Sequence, residues 1–134
     1  MRVVVEKNIL IVEDEAIIAS SLKLCLNNLG YNVFKVVSNG EDAIESSEKN
    51  NPDVILMDIR LRGQKNGYET VIAIRKSSNT PVIYLTGGDP DQIDEKAKDT
   101  KPYDYIIKPF DIAVLTEKIE KITDKKNKKQ TKKK

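Results

Sequence analysis

Short runs of apolar, mostly β-branched residues alternate along the chain with segments in which apolar residues recur every three or four positions. The apolar runs occupy residues 8–12, 31–37, 53–57, 81–85 and 103–107. Continuous apolar runs of this length are typical of strands that are buried on both faces of a parallel sheet. The pattern therefore predicts five buried strands.

The intervening segments predict helices over 15–29, 39–49, 67–78, 90–99 and 110–123. In the first helix the predicted inner face consists of Ile18, Leu22, Cys25, Leu26 and Leu29, and Gly30 is expected to end the helix. The segment 90–99 has the weakest apolar face. Five strand–helix units of this length require right-handed crossovers, so we predict a doubly wound α/β fold around a five-stranded parallel sheet.

Polar groups stand at the carboxyl ends of four of these strands. Ligands of open parallel sheets bind at that edge, where the strand order reverses. The fold is therefore expected to gather the following residues into one cleft: Glu13, Asp14, Asp58, Thr86 and Lys108.

The composition narrows the chemistry that this cleft can perform. The chain has 134 residues, one Cys and no His, which excludes His-dependent catalysis, an internal disulfide and a Cys-based zinc cluster. We expect Cys25 to be an inert core or half-buried thiol. No apolar run is long enough to cross a membrane and no signal peptide is evident, so a cytoplasmic location without membrane contact is expected.

The charge is unevenly distributed. The last ten residues hold seven Lys and no acid, whereas residues 1–124 hold 16 basic and 21 acidic residues. We predict a folded acidic domain over 1–124 and a disordered Lys-rich tail over 125–134. A solvated tail is favoured over a nucleic-acid-binding arm, so nucleic acid is not an expected partner.

Three carboxylates at one spot repel each other unless a cation compensates them. Only oxygen ligands are available here, which favours a hard divalent ion such as Mg²⁺. A metal ion beside an isolated Asp and a Lys also provides the groups that phosphoryl transfer requires, with the carboxylate as nucleophile.

The motifs "NILIVEDE", "PDVILMDIRLRG", "PVIYLTG" and "YIIKPF" together resemble the receiver domain of response regulators in two-component signalling. The resemblance covers residues 7–123 approximately. It implies the flavodoxin-like strand order 2-1-3-4-5. It also implies that Asp58 is the phospho-acceptor, that Asp14 binds Mg²⁺ directly, and that Glu13 acts largely through metal-bound water. The main-chain carbonyl of Arg60 would be the remaining protein ligand.

The resemblance assigns further roles at the ends of the last two strands. Thr86 matches the switch Thr that contacts the phosphoryl group, and Lys108 matches the Lys that pairs with it. The Lys108–Pro109 bond is usually cis in the family. Tyr105 matches an aromatic residue that turns inward on activation, which would remodel the surface formed by 90–99, 103–107 and 110–123.

Simpler interpretations exist for single residues. The acids at 13–15 could provide capping charge for the helix that follows, and Tyr105 could be ordinary core. The segment after Asp58 departs from the family pattern, because it is about one residue longer before Gly67 and carries a long cation at Arg60. These departures leave the rate of phosphoryl hydrolysis open.

The sequence thus predicts a stand-alone receiver that is phosphorylated by a sensor histidine kinase or a His phosphotransfer protein and acts on an unknown output protein. The alternative is the receiver portion of a larger DNA-binding or enzymatic regulator. An aspartate-nucleophile phosphatase of the haloacid dehalogenase type is disfavoured, because it needs a second Asp where this chain has Arg60. A scaffold that is never phosphorylated is disfavoured by the acidic cluster. The chain is not expected to be an enzyme beyond its own phosphorylation and dephosphorylation.

Overall fold

The computed structural model describes residues 6–88 and 95–132, without the side chains of Lys96 and of residues beyond Asp124. Strands and α-helices alternate in this part of the chain: β1 Asn8–Val12, α1 Ala16–Asn28, β2 Asn32–Val37, α2 Gly40–Asn50, β3 Val54–Asp58, α3 Gly67–Ile74, β4 Val82–Thr86, β5 Tyr103–Ile107 and α4 Ile112–Lys132. A 3₁₀ turn, Glu95–Thr100, lies between β4 and β5.

All strand pairs are parallel, and the order across the sheet is β2-β1-β3-β4-β5. This confirms the predicted fold and strand order. The chain moves outward to β2 from β1 and then returns to β3 on the other side of β1, so the direction of winding reverses between β1 and β3. The crevice at the carboxyl ends of these two strands is where such a fold places its ligands.

The core has two layers, one on each face of the sheet. Successive β1 residues alternate between them: Ile9 and Ile11 pack against α1 and α4, whereas Leu10 and Val12 pack on the side of α2 and α3. All four side chains are fully buried, which is worth about 2 kcal/mol for each relative to exposure in water. Burial on both faces explains why the strands read as unbroken apolar runs.

Helix α1 corrects part of the predicted apolar face. Its buried residues are Ala19, Leu22 and Leu26, whereas Leu29 and Cys25 are exposed. The prediction of a core or half-buried thiol was therefore wrong. Gly30 ends the helix as predicted, with a left-handed φ of 102°.

The last two predicted helices also differ from the structure. Residues 95–100 form a 3₁₀ turn, and the rest of the predicted 90–99 helix, including Ile93, lies outside the described residues. Helix α4 continues to Lys132, so the backbone is helical where the sequence predicts a disordered tail. Lys is a good helix former, and extending an existing helix adds one hydrogen bond per residue. The division at residue 124 stays a prediction.

No helix in the described part of the chain is long and apolar enough to cross a membrane.

Three Tyr rings form a cluster under β4. Tyr84 is fully buried and makes edge-to-face contacts with Tyr68 and Tyr103, at centroid distances of 5.1 and 5.7 Å. Its hydroxyl donates a 2.8 Å hydrogen bond to Thr100 Oγ1, at the end of the 3₁₀ turn. A buried phenol requires such a partner, so the bond fixes the turn against the middle of β4.

Residues 59–66 lead from β3 to α3, and we call them the acceptor loop after the role that the sequence predicts for Asp58. The ends of the loop are joined by the bond from the Gly67 N–H to the Ile59 carbonyl, 2.9 Å long. Gly67 approaches the end of β3 so closely that an added Cβ would lie 2.5 Å from the Asp58 carbonyl oxygen and 2.8 Å from Ile59 Cα. Only a residue without a side chain fits there.

Replacing Gly67 by Ala is therefore expected to destabilise the fold by about 2 kcal/mol, because the clash is with main-chain atoms that cannot rotate away. The free energy of unfolding in urea measures the change. Gly87→Ala is the matched control, since a Cβ at Gly87 would meet nothing within 4 Å. Equal stability of the two variants would contradict the close approach.

Candidate functional site

Three carboxylates meet at the carboxyl ends of β1 and β3. Glu13 and Asp14 follow β1 directly, and Asp58 is the last residue of β3. Each offers an oxygen that lies within 4.8 Å of the others. Glu13 is only 2% exposed and Asp58 only 4%. The predicted convergence of the acids is thus present in the structure.

Lys108 brings a positive charge into this cluster from the end of β5. Its Nζ lies 3.1 Å from Glu13 Oε1 and 3.6 Å from Asp58 Oδ1. Its main-chain N–H donates to the Thr86 carbonyl at 2.7 Å, which extends the β4–β5 ladder to the site. The Lys108–Pro109 bond is cis, as the family resemblance implies. One ammonium therefore faces two buried carboxylates.

Main-chain N–H groups hold the carboxylates from the other side. Glu15 donates to Glu13 Oε2 at 3.1 Å, and Arg60 donates to Asp58 Oδ1 at 3.0 Å. Both bonds reach a carboxylate two residues earlier in the chain, so the turns after β1 and β3 orient the acids that end those strands. Hydrogen bonds to an ionised acceptor are among the stronger ones in proteins.

Burial raises the pKa of the Glu13 carboxyl, and the charge of Asp58 adds to the shift. The Glu15 N–H and the Lys108 ammonium act in the opposite direction without cancelling it. A further positive charge nearby would thus stabilise the ionised form of Glu13.

The donor set fits a hard divalent cation. Glu13 Oε1 is buried and accepts no hydrogen bond from the described residues, so its contact there is the Lys108 ammonium. One ammonium cannot balance three carboxylates, and Mg²⁺ prefers carboxylate oxygens together with water. Glu13, Asp14 and Asp58 are the residues that could hold such an ion.

Thr86 is the last residue of β4 and is buried, with its Oγ1 accepting a 3.0 Å hydrogen bond from the Gly88 N–H. The hydroxyl hydrogen is not used by that bond. Tyr105 is half-buried on β5, and Lys118 Nζ lies 5.5 Å from the centre of its ring. Tyr105 also packs against the core layer on the side of α2 and α3, and its role as a switch stays a prediction.

The two Arg residues of the acceptor loop behave differently. Arg60 has an exposed side chain, and its described link to the cluster is the main-chain bond to Asp58. Arg62 donates its main-chain N–H to Asp14 Oδ2 at 3.1 Å, and its Nε lies 3.5 Å from the same oxygen. The contact of Arg62 with Asp14 was not predicted from the sequence. The sequence shows two Arg residues in "IRLRG", but only the path of the loop determines which of them contacts Asp14.

An apolar groove of about 430 Å³ opens beside Lys108. Its lining comes from α1 and from the turn after β5: Ile17, Ile18, Ser21, Leu22, Cys25, Lys108, Pro109, Phe110 and Ile112. On its rim, Ile17 is 84% exposed, and Leu24, two turns along the same helix, is 64% exposed. Large apolar side chains exposed together next to a polar site are typical of a surface that binds another protein.

Comparisons with known proteins agree on one family. The model of the response regulator receiver domain matches residues 9–120. Among curated proteins, the transcriptional regulatory protein PdtaR of Mycobacterium tuberculosis is 31% identical over 87% of this chain and 56% of its own length. The chain thus spans about half the length of that relative.

Solved structures give the same result. The signal receiver domain of a modulated diguanylate cyclase from Desulfovibrio desulfuricans G20 is 34% identical, with a TM-score of 0.85 over 93% of this chain and 99% of that one. The receiver domain of the sensor histidine kinase PA1611 from Pseudomonas aeruginosa PAO1, solved with a magnesium ion coordinated in its active-site cleft, is 31% identical. Its TM-score is 0.78 over 90% of this chain and 99% of that one.

The charge balance of the cluster predicts an energetic coupling between Lys108 and Glu13. Replacing Lys108 by Met should lower the free energy of unfolding in metal-free buffer by about 3 kcal/mol, because two buried carboxylates lose their counter-charge. In a Glu13→Gln background the same replacement should cost at least about 1 kcal/mol less. Urea denaturation of the four proteins measures the cycle, and equal costs in both backgrounds would refute the coupling.

Proposed function

Because this chain belongs to the response regulator receiver domain family, we propose that it accepts a phosphoryl group on Asp58 from a phosphohistidine of a sensor kinase or phosphotransfer protein. The observation that carries the proposal is the position of Asp58: it ends β3 beside two further acids, with the Lys108 ammonium 3.6 Å from its Oδ1. These 134 residues contain no His, so the phosphohistidine that serves as donor lies outside them.

In the proposed reaction an oxygen of the Asp58 carboxylate attacks phosphorus. A new P–O bond forms, the P–N bond of the donor breaks, and its electron pair stays on the leaving imidazole nitrogen. Lys108 pairs with a phosphoryl oxygen, and the Thr86 hydroxyl donates a hydrogen bond to another. The role of this chain is thus to position the nucleophile and to neutralise charge, which is where most catalysis of phosphoryl transfer originates.

We assign the metal-binding role to Glu13, Asp14, Asp58 and the main-chain carbonyl of Arg60. When bound, Mg²⁺ neutralises charge on the phosphoryl oxygens and offsets the repulsion between the carboxylates. The raised pKa of Glu13 supports this assignment, and so does its buried Oε1, whose contact in the described part of the chain is the Lys108 ammonium.

The proposed response to phosphorylation begins at Thr86. Once its hydroxyl turns toward the phosphoryl group, Tyr105 can move inward, and the surface of the 3₁₀ turn, β5 and α4 changes with it. Lys118 contributes to the resting position of Tyr105, since it lies over the ring and forms a 3.3 Å ion pair with Asp104. Such a change is a two-state equilibrium that a local charge shifts.

Two activities are proposed for the whole protein. In the first, the receiver stands alone in the cytoplasm and acts by binding an output protein or by passing the phosphoryl group on. In the second, the receiver controls a DNA-binding or enzymatic output domain of a longer chain. In neither case does the receiver act as an enzyme on other substrates. The length of the full gene product distinguishes the two.

We further propose that the phosphohistidine partner binds on the apolar groove beside Lys108. The groove starts at the site itself, because Lys108 contributes to both. Exposed Ile17 and Leu24 lie seven residues apart on α1, which is two helical turns and presents one continuous face. A helical partner with an apolar face could cover this surface while presenting its His to Asp58.

The acceptor assignment predicts Mg²⁺-dependent labelling of the chain by acetyl phosphate. Asp58→Asn should abolish labelling, because the amide is a poor nucleophile, while the fold is retained. Intact-protein mass spectrometry measures the mass of the added phosphoryl group. Asp53→Asn, a change of the same kind directly before β3, is the control and should label normally. Undiminished labelling of the Asp58 variant would end the assignment.

The partner surface predicts that Ile17→Lys slows phosphoryl transfer from a protein donor at least about tenfold, since a charge replaces an apolar contact. Labelling by acetyl phosphate should be unchanged in the same variant. Ile72→Lys, which alters an exposed Ile on α3, is the matched control. Equal losses with both donors, or with both variants, would show that the groove is not the binding surface.

A further inference from the structure

The acceptor loop is held in one conformation at several points. Leu61 is buried in the core layer on the side of α2 and α3, so its side chain anchors the middle of the loop. Gly63 has a φ of 104°, a left-handed conformation that Gly adopts without strain. Arg62 lies between these two residues, so its backbone position is determined by the fold and does not depend on its own side chain.

Two donors of Arg62 converge on one oxygen of Asp14. The main-chain N–H reaches Asp14 Oδ2 at 3.1 Å, and the guanidinium Nε reaches the same atom at 3.5 Å. The Arg62 side chain is 84% exposed, whereas that of Asp14 is 14% exposed. The N–H therefore orients the carboxylate from inside the loop, while the guanidinium lies over it from the solvent side.

The positive charges of the site are divided between the acids. The Lys108 ammonium faces Glu13 and Asp58, and within the described residues the ion-pair partner of Asp14 is Arg62. Any cation that binds the three acids must share Asp14 with the guanidinium or displace it. Arg62 thus acts on metal binding through electrostatic competition, without being a ligand.

We propose that Arg62 is a positioning residue that sets the Mg²⁺ affinity of the site: its N–H orients Asp14, and its guanidinium competes with the cation for Asp14 Oδ2. The proposal rests on the Mg²⁺ site of the proposed function and adds its regulation by a residue of the acceptor loop. Its consequence is that the receiver needs a higher Mg²⁺ concentration for phosphorylation than the three acids alone would require.

The geometry also bounds the size of the effect. The guanidinium is largely in solvent, and exposed ion pairs contribute little because water and salt screen them. Removing the charge should therefore tighten Mg²⁺ binding by about two- to fivefold, and no more. This increase in Mg²⁺ affinity should be smaller at high salt, because salt screens the exposed contact between the Arg62 guanidinium and Asp14.

The test is the dissociation constant of Mg²⁺ alone, measured by isothermal titration calorimetry on the unphosphorylated full chain. Arg62→Gln removes the charge but keeps the main-chain donor, and it should bind Mg²⁺ about two- to fivefold more tightly than the unchanged protein. Arg62→Lys retains a cation and should stay closer to the unchanged protein. Lys65→Gln removes the same charge from the same loop, at a residue whose ion pair is with Glu41, and is the matched control.

The outcomes separate this inference from the function on which it rests. Tighter binding in Arg62→Gln with no comparable change in Lys65→Gln supports the competition. Unchanged or weaker binding in Arg62→Gln overturns it, and so does an equal gain in Lys65→Gln, which would indicate a general charge effect. If the unchanged protein itself binds no Mg²⁺ at millimolar concentrations, the metal site of the proposed function fails instead.

Discussion

The repulsion between Glu13, Asp14 and Asp58 is the constraint around which the site is organised. A parallel sheet brings the carboxyl ends of its central strands together, so acids placed there cannot avoid each other. Three features offset this repulsion. They are the Lys108 ammonium, the main-chain N–H groups of the turns after β1 and β3, and the contact of Arg62 with Asp14 at the solvent side. None of these alone balances three carboxylates. The three carboxylates of the unphosphorylated protein therefore still favour the binding of an additional positive charge.

The proposed chemistry and the proposed partner surface occupy neighbouring but separate parts of the molecule. The acids lie in a polar crevice, whereas the groove formed by α1 and the turn after β5 is apolar. Lys108 belongs to both, since its ammonium points at the carboxylates while the residue lines the groove. Variation of the exposed α1 residues could thus change which partner binds without disturbing the site. A single scaffold can in this way serve many partners.

The sequence predicted the fold and the cluster because both depend on local pattern and on the rules of parallel sheets. Each strand was found within one residue of its predicted bounds, and Asp58 is at the end of its strand as expected. The incorrect predictions concern residues whose exposure or contacts depend on how a neighbouring element packs. Cys25 and Leu29 fit the period of a helix, but α1 buries Ala19, Leu22 and Leu26 when it packs on the sheet, which leaves the other two exposed. Arg62 could not be assigned, because its position depends on the path of a loop that the buried Leu61 fixes.

The Tyr cluster under β4 has a practical consequence for anyone who studies this protein in solution. The chain has no Trp and five Tyr, so its near-ultraviolet signal comes largely from phenol rings. Three of them, Tyr68, Tyr84 and Tyr103, are held edge to face in a fixed chiral arrangement. Burial raises the pKa of Tyr84, which keeps this phenol protonated in alkaline solution while the fold persists. Near-ultraviolet circular dichroism can thus detect changes in the packing of these three rings, close to Thr86, without any added label.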